Sequence, residues 1–448
     1  MRYLVSLILA VMFTVPSSAQ YNAPSVASAK SDSHPVAIRW WGQGMVGIES
    51  WWDLTVVIDP YNDKIGYEVP ELTADLVLVT HEHGDHNNVE AVKGEPVVSR
   101  GLNSSGEVHP IWKLLDRFAN SSETEWWWRE TKADSTKQTS HSVVVRSIPA
   151  WHDDTQGKQR GATALFKVEV DGVSILHCGD LGQSKLTDKQ MFLIGPVDVM
   201  LLPVGGVYTI DGDSAWDIVE QVKPRIVIPI HYKTDKLKIP LEPVDKFVEH
   251  MPAGWELNKV SHNTLAVKAS PKDAEAKHKL VVLDYKPWQP TGELAELMKE
   301  MDTACQESQK VFAPLTANQM SWQPPNGTHT PRWNAEHMMG RQLGFFSQIY
   351  SAIEPETFTH IDLNPAQMPP DFKPAHADWD GAEEARQMER ANAYVRRFAY
   401  LLNGVDLDRP APGSRWTLRR LLKQMDRHFG EHTANVEQKF QLEGWPAE

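Results

Sequence analysis

Cysteine, positive charge and long apolar segments are all scarce in this sequence. It has two cysteines, Cys178 and Cys305, in 448 residues. Two cysteines form at most one disulfide bond, so no disulfide framework holds the fold together. Acidic residues outnumber lysine and arginine by 59 to 45, which gives a formal net charge of −14. Because no basic surplus is present to displace counterions from a phosphate backbone, we expect no nucleic-acid partner.

Apolar runs are short throughout, and the longest is at the N-terminus. Arg2 precedes an apolar run from Leu4 to Val15, and residues 16–19 supply the small side chains of a cleavage site. This order is typical of a secretory signal peptide over residues 1–19, and residues 20–36 have the composition of a flexible leader. No later run reaches the roughly 18 apolar residues that a membrane helix needs. The sequence therefore predicts a periplasmic or secreted protein without an integral membrane segment after signal cleavage.

The densest polar cluster is the loop Thr80–His86, which reads T-H-E-H-G-D-H directly after the apolar run Leu76–Val79. The run predicts a buried strand that ends in this loop. Burying three imidazoles and two carboxylates without partners would cost several kcal/mol. Imidazole nitrogen and carboxylate oxygen are suitable ligands for zinc, manganese or iron. The loop is therefore predicted to bind metal at the end of a strand.

Three further polar residues, His152, Asp180 and His231, also come after predicted strands. The strands are Val143–Ala150, Val173–Leu176 and Arg225–Ile230. Loops at the ends of strands can bring ligands together from distant parts of a chain, because the sheet holds them rigidly. We therefore expect these residues to join the histidine loop in an α/β layered domain.

This order of residues resembles that of the metallo-β-lactamase-fold hydrolases. The similarity consists of the H-x-H-x-D-H loop at His81–His86, followed by His152, the Gly179-Asp180 pair and His231. Shorter stretches are also similar, namely Trp41–Gly44, Ile58–Pro60, Leu202–Gly206 and Ile228–Tyr232. In detail the sequence looks like the branch that contains L-ascorbate-6-phosphate lactonase and other zinc-dependent hydrolases. The resemblance implies an αβ/βα sandwich, to which we assign residues 37–285.

The resemblance also implies two divalent metal ions, zinc in the first place and otherwise manganese or iron. The first metal would have His81, His83 and His152 as ligands. The second would be held by Asp85, His86 and His231, and Asp180 would bridge the two. Two such ions can share a hydroxide that attacks the substrate, with Asp85 and Asp180 as the catalytic residues. The implied activity is hydrolysis of a phosphodiester, lactone, ester or amide bond in a small molecule.

The second half of the sequence changes from strand to helix patterns after Pro287 and Pro290. Four amphipathic helices are predicted, at Gly292–Phe312, Trp333–Ile353, Gly381–Leu402 and Thr417–Phe440. Residues 286–448 resemble the DinB-like four-helix bundles through Leu315–Trp322, Trp333–His337 and His428–His432. The predicted architecture is therefore α/β followed by an all-α domain.

The resemblance to DinB-like bundles raises the question of a further metal in this domain. Such bundles often bind one through a histidine of the second helix and an H-x-x-x-H pair of the last. His428 and His432 are one helical turn apart, so both can face one ion. The third ligand is His337 if the second helix aligns at that position. If the usual histidine position falls one turn later, Arg341 occupies it and the third ligand is missing. The sequence leaves this metal open.

Several weaker assignments accompany these predictions. Cys178 is predicted to be a small buried residue rather than a thiolate ligand. Tyr208, Tyr232 and His262 are candidates for substrate contact, with packing as the alternative for the two tyrosines. At least one of the tryptophans at 126–128 would face a cleft or a partner, since neighbouring strand residues point to opposite faces. Burial between two layers is the alternative for them.

Two other functions remain open beside hydrolysis. One is a metal-assisted, thiol-dependent transferase centred on the bundle, and the other is a non-enzymatic binding protein. The seven ligands of the first domain are all present, which favours the hydrolase. The sequence does not determine the substrate, the native metal or the oligomeric state.

Overall fold

The computed structural model describes residues 34–51, 53–108, 112–116, 142–269, 277–363, 372–374 and 377–447. The predicted signal peptide, most of the predicted leader and the three tryptophans at 126–128 lie outside these residues. Within the described ranges, no helix has the length and apolar character to cross a membrane.

Two mixed β-sheets form the N-terminal half of the described chain. The first consists, in order across the sheet, of β15 (Thr264–Val267), β1 (Val36–Gly42), β2 (Met45–Glu49), β3 (Thr55–Ile58), β5 (Leu76–Val79) and β7 (Val97–Arg100). The second consists of β14 (Glu256–Lys259), β16 (Lys279–Val282), β13 (Ile226–Ile230), β12 (Val199–Pro203), β11 (Val173–His177), β10 (Ala162–Val170), β9 (Ser142–Trp151) and β8 (Trp112–Asp116). A separate short pair consists of β4 (Leu72–Thr73) and β6 (Val92–Lys93).

The central strands β3 and β5 of the first sheet are buried on both faces and read as apolar runs, whereas the edge strand β7 exposes Val97 and Val98. In β3, Val56 and Ile58 belong to the main core, whereas Val57 between them belongs to a second core. This division follows from the alternation of side chains along a strand. The second core is completed by residues of irregular chain and of a 3-10 helix, including Tyr61 and Ile65.

Parallel pairing determines which strand ends lie together. In the second sheet β11, β12 and β13 are parallel, and their connections contain α1 (Asp188–Ile194) and α2 (Gly212–Val222). A third helix of this half, α3 (Asp245–Glu249), follows β13. In the first sheet β3, β5 and β7 are parallel. Since parallel strands end at the same edge of a sheet, the residues after these strands are placed close together.

The C-terminal half is the predicted helical bundle. Its long helices are α4 (Gly292–Phe312), α6 (Pro331–Ile353), α7 (Gly381–Arg397) and α8 (Leu418–Lys439), with a short α5 (Ala317–Ser321) between the first two. Helices α4 and α6 each pack against both α7 and α8.

Helices α6 and α7 each differ from the prediction at one boundary, and α8 differs by a single residue at each end. Helix α6 begins at Pro331, because Thr330 accepts a hydrogen bond from the Trp333 N–H as its N-cap and proline is favoured in a first turn. Helix α7 ends at Arg397, and the remainder of the predicted helix is a 3-10 helix, Ala399–Leu402.

The bundle is joined to the first sheet by a partly buried ion cluster. Arg397 donates to the Glu49 carboxylate at 2.7 Å and to the Ser50 carbonyl at 2.8 Å. Arg39 of β1 also donates to Glu49. Burial alone would raise the pKa of Glu49, but the two guanidinium groups lower it to about 2. Apolar residues of the sheets and of the bundle form one continuous core.

Candidate metal centre

The predicted ligands lie at one edge of the two sheets, each after the end of a strand. The loop that contains His81 and His86 follows β5, His152 follows β9, Asp180 follows β11 and His231 follows β13. The parallel pairing described above and the packing of the two sheets bring these four chain segments together.

Asp180 lies at the centre of four imidazoles. Its Oδ2 is 3.2 Å from His152 Nε2, 3.4 Å from His231 Nε2 and 3.7 Å from His81 Nε2. Its Oδ1 is 3.3 Å from His86 Nε2. Ligand atoms around a tetrahedral zinc ion are about 3.3 Å apart, given bond lengths of about 2.0–2.2 Å. The spacing of these atoms therefore fits a shared cation.

The possible ligand atoms form two groups, in each of which all atoms lie within 4.8 Å of one another. The first group contains His81, His83, His152 and Asp180, and the second contains Asp85, His86 and His231. These are the two sets that the resemblance implies. The structure thus brings all seven residues together, and their role as metal ligands stays a prediction. His83 is the exposed member of the first group, so the site opens on its side.

Unpaired buried atoms indicate that a cation fits between these groups. His86 Nε2 and Asp180 Oδ1 face each other and have no hydrogen-bond partner among the described residues. Burying polar atoms in this way costs free energy. A divalent ion that accepts lone pairs from both atoms would remove this cost.

The protonation states of the cluster also suit metal binding. Burial and the neighbouring His86 lower the pKa of His81 to about 3, so its imidazole is neutral. Burial opposes ionisation of Asp180, but the imidazoles of His231 and His86 hold its pKa well below the usual range. The pKa of His86 is raised despite burial, because the carboxylates of Asp180, Asp85 and Asp59 surround it. A metal ion can take the place of that proton.

Comparison with known proteins agrees with this geometry. The model of the beta-lactamase superfamily domain matches residues 37–231, and that of the DinB superfamily matches residues 284–436. The UPF0173 metal-dependent hydrolase of Thermococcus kodakarensis is 34% identical over 186 residues, which are 40% of this chain and 77% of that protein. The chain belongs to this family of metal-dependent hydrolases. A member from Archaeoglobus fulgidus is 35% identical over 215 residues, which are 44% of this chain and 83% of that protein.

A solved structure from Thermotoga maritima, assigned to the Zn-dependent hydrolases of the metallo-beta-lactamase superfamily, also resembles this hydrolase. It is 28% identical, the match covers 55% of this chain and 98% of that one, and the TM-score is 0.39.

Asp59 is a supporting residue of the hydrolase site to which the sequence assigned no role. It is fully buried and follows β3, beside the strand that carries the histidine loop. Its carboxylate accepts hydrogen bonds from the N–H and the hydroxyl of Thr80, both at 2.7 Å. Its Oδ2 is also 3.0 Å from His86 Nδ1. A carboxylate in this position fixes the orientation of an imidazole whose other nitrogen faces a metal.

Two glycines allow the chain to approach the backbone of two predicted ligands. A Cβ atom on Gly182 would lie 2.3 Å from the carbonyl carbon of His152. A Cβ atom on Gly205 would lie 2.2 Å from the carbonyl oxygen of His231. Larger residues at these positions would displace His152 or His231.

The weaker assignments have different outcomes in the hydrolase. Tyr232 is buried, its ring lies 4.8 Å from that of Trp40, and its hydroxyl donates to the Leu283 carbonyl, so it is a packing residue. His262 contacts the ring of Tyr400 of the bundle at 4.4 Å. Tyr208 is 38% exposed and remains a candidate for substrate contact. Cys178 is buried as predicted, and burial raises the pKa of its thiol.

A third histidine group lies in the bundle of the hydrolase. Ligand atoms of His337, His428 and His432 lie within 4.8 Å of one another. His432 Nδ1 is 2.7 Å from Asn334 Oδ1. Burial and the other two imidazoles lower the pKa of His428 to about 3, and the nearby Arg341 contributes to this effect. The group therefore contains His337, whereas alignment of the second helix allowed the usual histidine position to fall on Arg341, one turn later.

Proposed function

We propose that this metal-dependent hydrolase is an exported enzyme that uses two metal ions to cleave a phosphodiester, lactone, ester or amide bond of a small molecule. Zinc is the proposed metal, with manganese and iron as the other suitable ions. The observation that carries the proposal is Asp180, a buried carboxylate in contact with imidazoles of both ligand groups.

The metal ions and Asp85 would have different roles in catalysis. Two divalent ions held here would lower the pKa of a bound water and polarise the substrate oxygen. Asp85 has a partly exposed side chain, and His86 keeps its pKa low although burial acts in the opposite direction. Its Oδ2 accepts a hydrogen bond from Gln43 at 2.9 Å, which leaves Oδ1 to accept a proton from the attacking water. The substrate would enter on the side of His83.

Turnover of a substrate panel tests the proposal. The chain without residues 1–19 is supplied with zinc or manganese and offered lactones, phosphodiesters, phospholipids and acyl amides. We expect metal-dependent turnover of one bond class, reduced at least about 100-fold in Asp180→Asn, since a ligand of both groups is then weakened. His428→Ala should keep its activity. No metal-dependent turnover, or loss in the His428 variant alone, would contradict the proposal.

Export is a separate part of the proposal and has its own test. It is supported by the apolar run of residues 4–15 and the small residues before Gln20. When the full chain is expressed in its own host, N-terminal sequencing should find the protein outside the cytoplasm, beginning at Gln20. Recovery of uncleaved protein from the cytoplasm would overturn this part and leave the hydrolase proposal unaffected.

We also propose a further metal in the bundle, because His337, His428 and His432 form a compact group. Metal analysis after equilibrium dialysis against zinc should find one equivalent less in His428→Ala than in the unmodified protein. His329→Ala is the matched control, since His329 lies against Trp333 in the same region without belonging to the group. Equal metal content in the His428 variant and the unmodified protein would contradict this site. The transferase alternative depends on it.

A further inference from the structure

The turn between β1 and β2, residues Gly42–Gly44, contacts all three members of the second ligand group. Gln43 Nε2 donates a hydrogen bond to Asp85 Oδ2 at 2.9 Å. The carbonyl oxygen of Gln43 accepts one from the His231 N–H at 3.0 Å. Gly44 lies against the third member, since a Cβ atom there would be 2.7 Å from His86 Cε1.

The turn is held in place from outside the group as well. The Gln43 carbonyl also accepts a hydrogen bond from Trp40 Nε1 at 2.9 Å, and the Gly44 carbonyl accepts one from His177 Nε2 at 2.8 Å. Gln43 has a φ of 49°, a left-handed conformation that is uncommon for residues other than glycine. Such a conformation persists where the surrounding structure over-determines it, which is frequent at functional sites.

The first ligand group has other supports. His81 Nδ1 lies 3.0 Å from the Thr80 hydroxyl, and the His152 N–H donates to the Gly161 carbonyl at 3.1 Å. In the described part of the chain, the hydrogen bonds of the Gly42–Gly44 turn reach no residue of this group. The two groups therefore depend on different segments of the protein.

The side chain of Gln43 has one more relevant property. Gln43 is fully buried, and its Oε1 has no hydrogen-bond partner among the described residues. An unpaired amide oxygen beside Asp85 can accept a hydrogen bond from a water or a substrate group at the second metal. Packing alone does not account for a buried amide whose Nε2 donates to a carboxylate while its Oε1 has no partner among the described residues.

We propose that Gln43 is a positioning residue for the second metal. It fixes the Asp85 carboxylate through its side chain and His231 through its carbonyl oxygen, and so controls occupancy of the second site and not of the first. This inference rests on the proposed dinuclear site.

The experiment measures zinc binding by Gln43→Met, which keeps the length and unbranched shape of the side chain but lacks the donor. Equilibrium dialysis of metal-free protein gives the number of zinc ions bound and the affinity of each step. We expect the first-group zinc to bind as in the unmodified protein and the second to bind at least about tenfold more weakly, as is typical when a residue that orients a ligand is removed. Metal analysis of Gln43→Met/His81→Ala against Gln43→Met/His86→Ala assigns the remaining ion to a group.

Gln342→Met is the matched control. Gln342 is a fully buried glutamine of α6 whose Nε2 donates to Asn392 at 2.9 Å, and its Oε1 also has no hydrogen-bond partner in the part of the chain that the structure describes. It should lose stability as Gln43→Met does but keep both zinc affinities of the sandwich. If Gln43→Met does not fold, Gln43→Asn is used in its place. Asparagine tolerates the left-handed conformation, but its amide is too short to reach Asp85.

The possible results separate the inference from the proposed function. Selective weakening of the zinc ion of the second group in the Gln43 variants supports the inference, and selective weakening of the first-group ion would overturn it. Unchanged affinities, or equal weakening at both groups, would overturn it while leaving the dinuclear proposal intact. Failure of the unmodified protein to bind two zinc ions at the sandwich would overturn both.

Discussion

At the scale of single residues, Asp59 and Gln43 are alike because each contacts a predicted metal ligand and is not itself a predicted ligand. Asp59 contacts His86 through its carboxylate, and Gln43 contacts Asp85 through its amide. Both are fully buried and both have a positive φ, 51° and 49°. Their contribution is orientation, which determines whether ligand atoms already have the geometry that a metal requires.

We expect Asp59→Asn to weaken metal binding by about 10–100-fold, because an amide orients the His86 imidazole less firmly than a carboxylate does. Competition with a chelator measures the affinity. Asp198→Asn is the matched control, since the Asp198 carboxylate accepts a hydrogen bond from the Ser174 N–H at the other end of the second sheet. It should leave the affinity unchanged. Equal affinities in the two variants would show that Asp59 has no part in the metal site.

At the scale of elements, helices α6 and α7 meet through buried charges. Arg332 of α6 donates to the Glu384 carboxylate of α7 at 2.7 Å, and both side chains are inaccessible to solvent. Burial raises the pKa of Glu384 to about 7 in spite of Arg332. Burial and the neighbouring Glu384 raise the pKa of Glu336 well above its ordinary value. One arginine thus faces two carboxyl groups, and at least one of these holds its proton in the folded protein at neutral pH.

This arrangement predicts how stability depends on pH. The folded bundle binds more protons than the unfolded chain above the ordinary glutamate pKa of 4.5 and up to about 7. The stabilisation is therefore complete below about pH 4.5 and decreases as the pH rises through 7. Between these pH values the free energy of unfolding falls by about 1.4 kcal/mol per pH unit for each extra proton that the folded state binds. We expect Glu336→Gln to reduce this slope by that amount, because the variant no longer binds a proton at this position. Urea unfolding at a series of pH values measures it, and Glu307→Gln, which changes an exposed carboxylate, should leave the slope unchanged.

The elements show which parts of the fold the sequence could predict. The strand Leu76–Val79 and the helix Gly292–Phe312 were predicted with the bounds that the structure has, because their apolar patterns are continuous, whereas short elements such as α3 and α5 were not predicted. The histidine loop could also be recognised from the sequence, because its imidazoles and carboxylates are close together along the chain. Asp59 and Gln43 lie in stretches that resemble the family, but the sequence assigned them no role, since their roles depend on which strands pair and how the sheets pack. The end of α7 at Arg397 was missed because it depends on contacts with Glu49 and Ser50, which are distant in sequence.

At the scale of the whole molecule, Arg397 is one of the residues that connect the bundle to the first sheet. We expect Arg397→Ala to lower the free energy of unfolding by about 3 kcal/mol, because the partly buried Glu49 then loses one guanidinium partner and the buried Ser50 carbonyl loses its donor. Chemical denaturation measures the loss. Arg427→Ala is the control, since Arg427 is an exposed residue of α8 and its ion-pair partner Glu431 is exposed as well. Its effect should be below about 1 kcal/mol, and an equal effect of both variants would contradict the role of Arg397.

The continuous core shared by the sheets and the bundle also constrains how this protein can change over generations. Two family models match separate parts of the chain, yet deletion of one part would expose apolar surface of the other to water. Mutations in the apolar faces of the bundle are therefore expected to impair folding of the enzyme, whereas loss of a bundle histidine is not. The bundle sequence can lose or gain a binding site while its apolar faces persist, which makes it a scaffold on which new activities can arise beside hydrolysis.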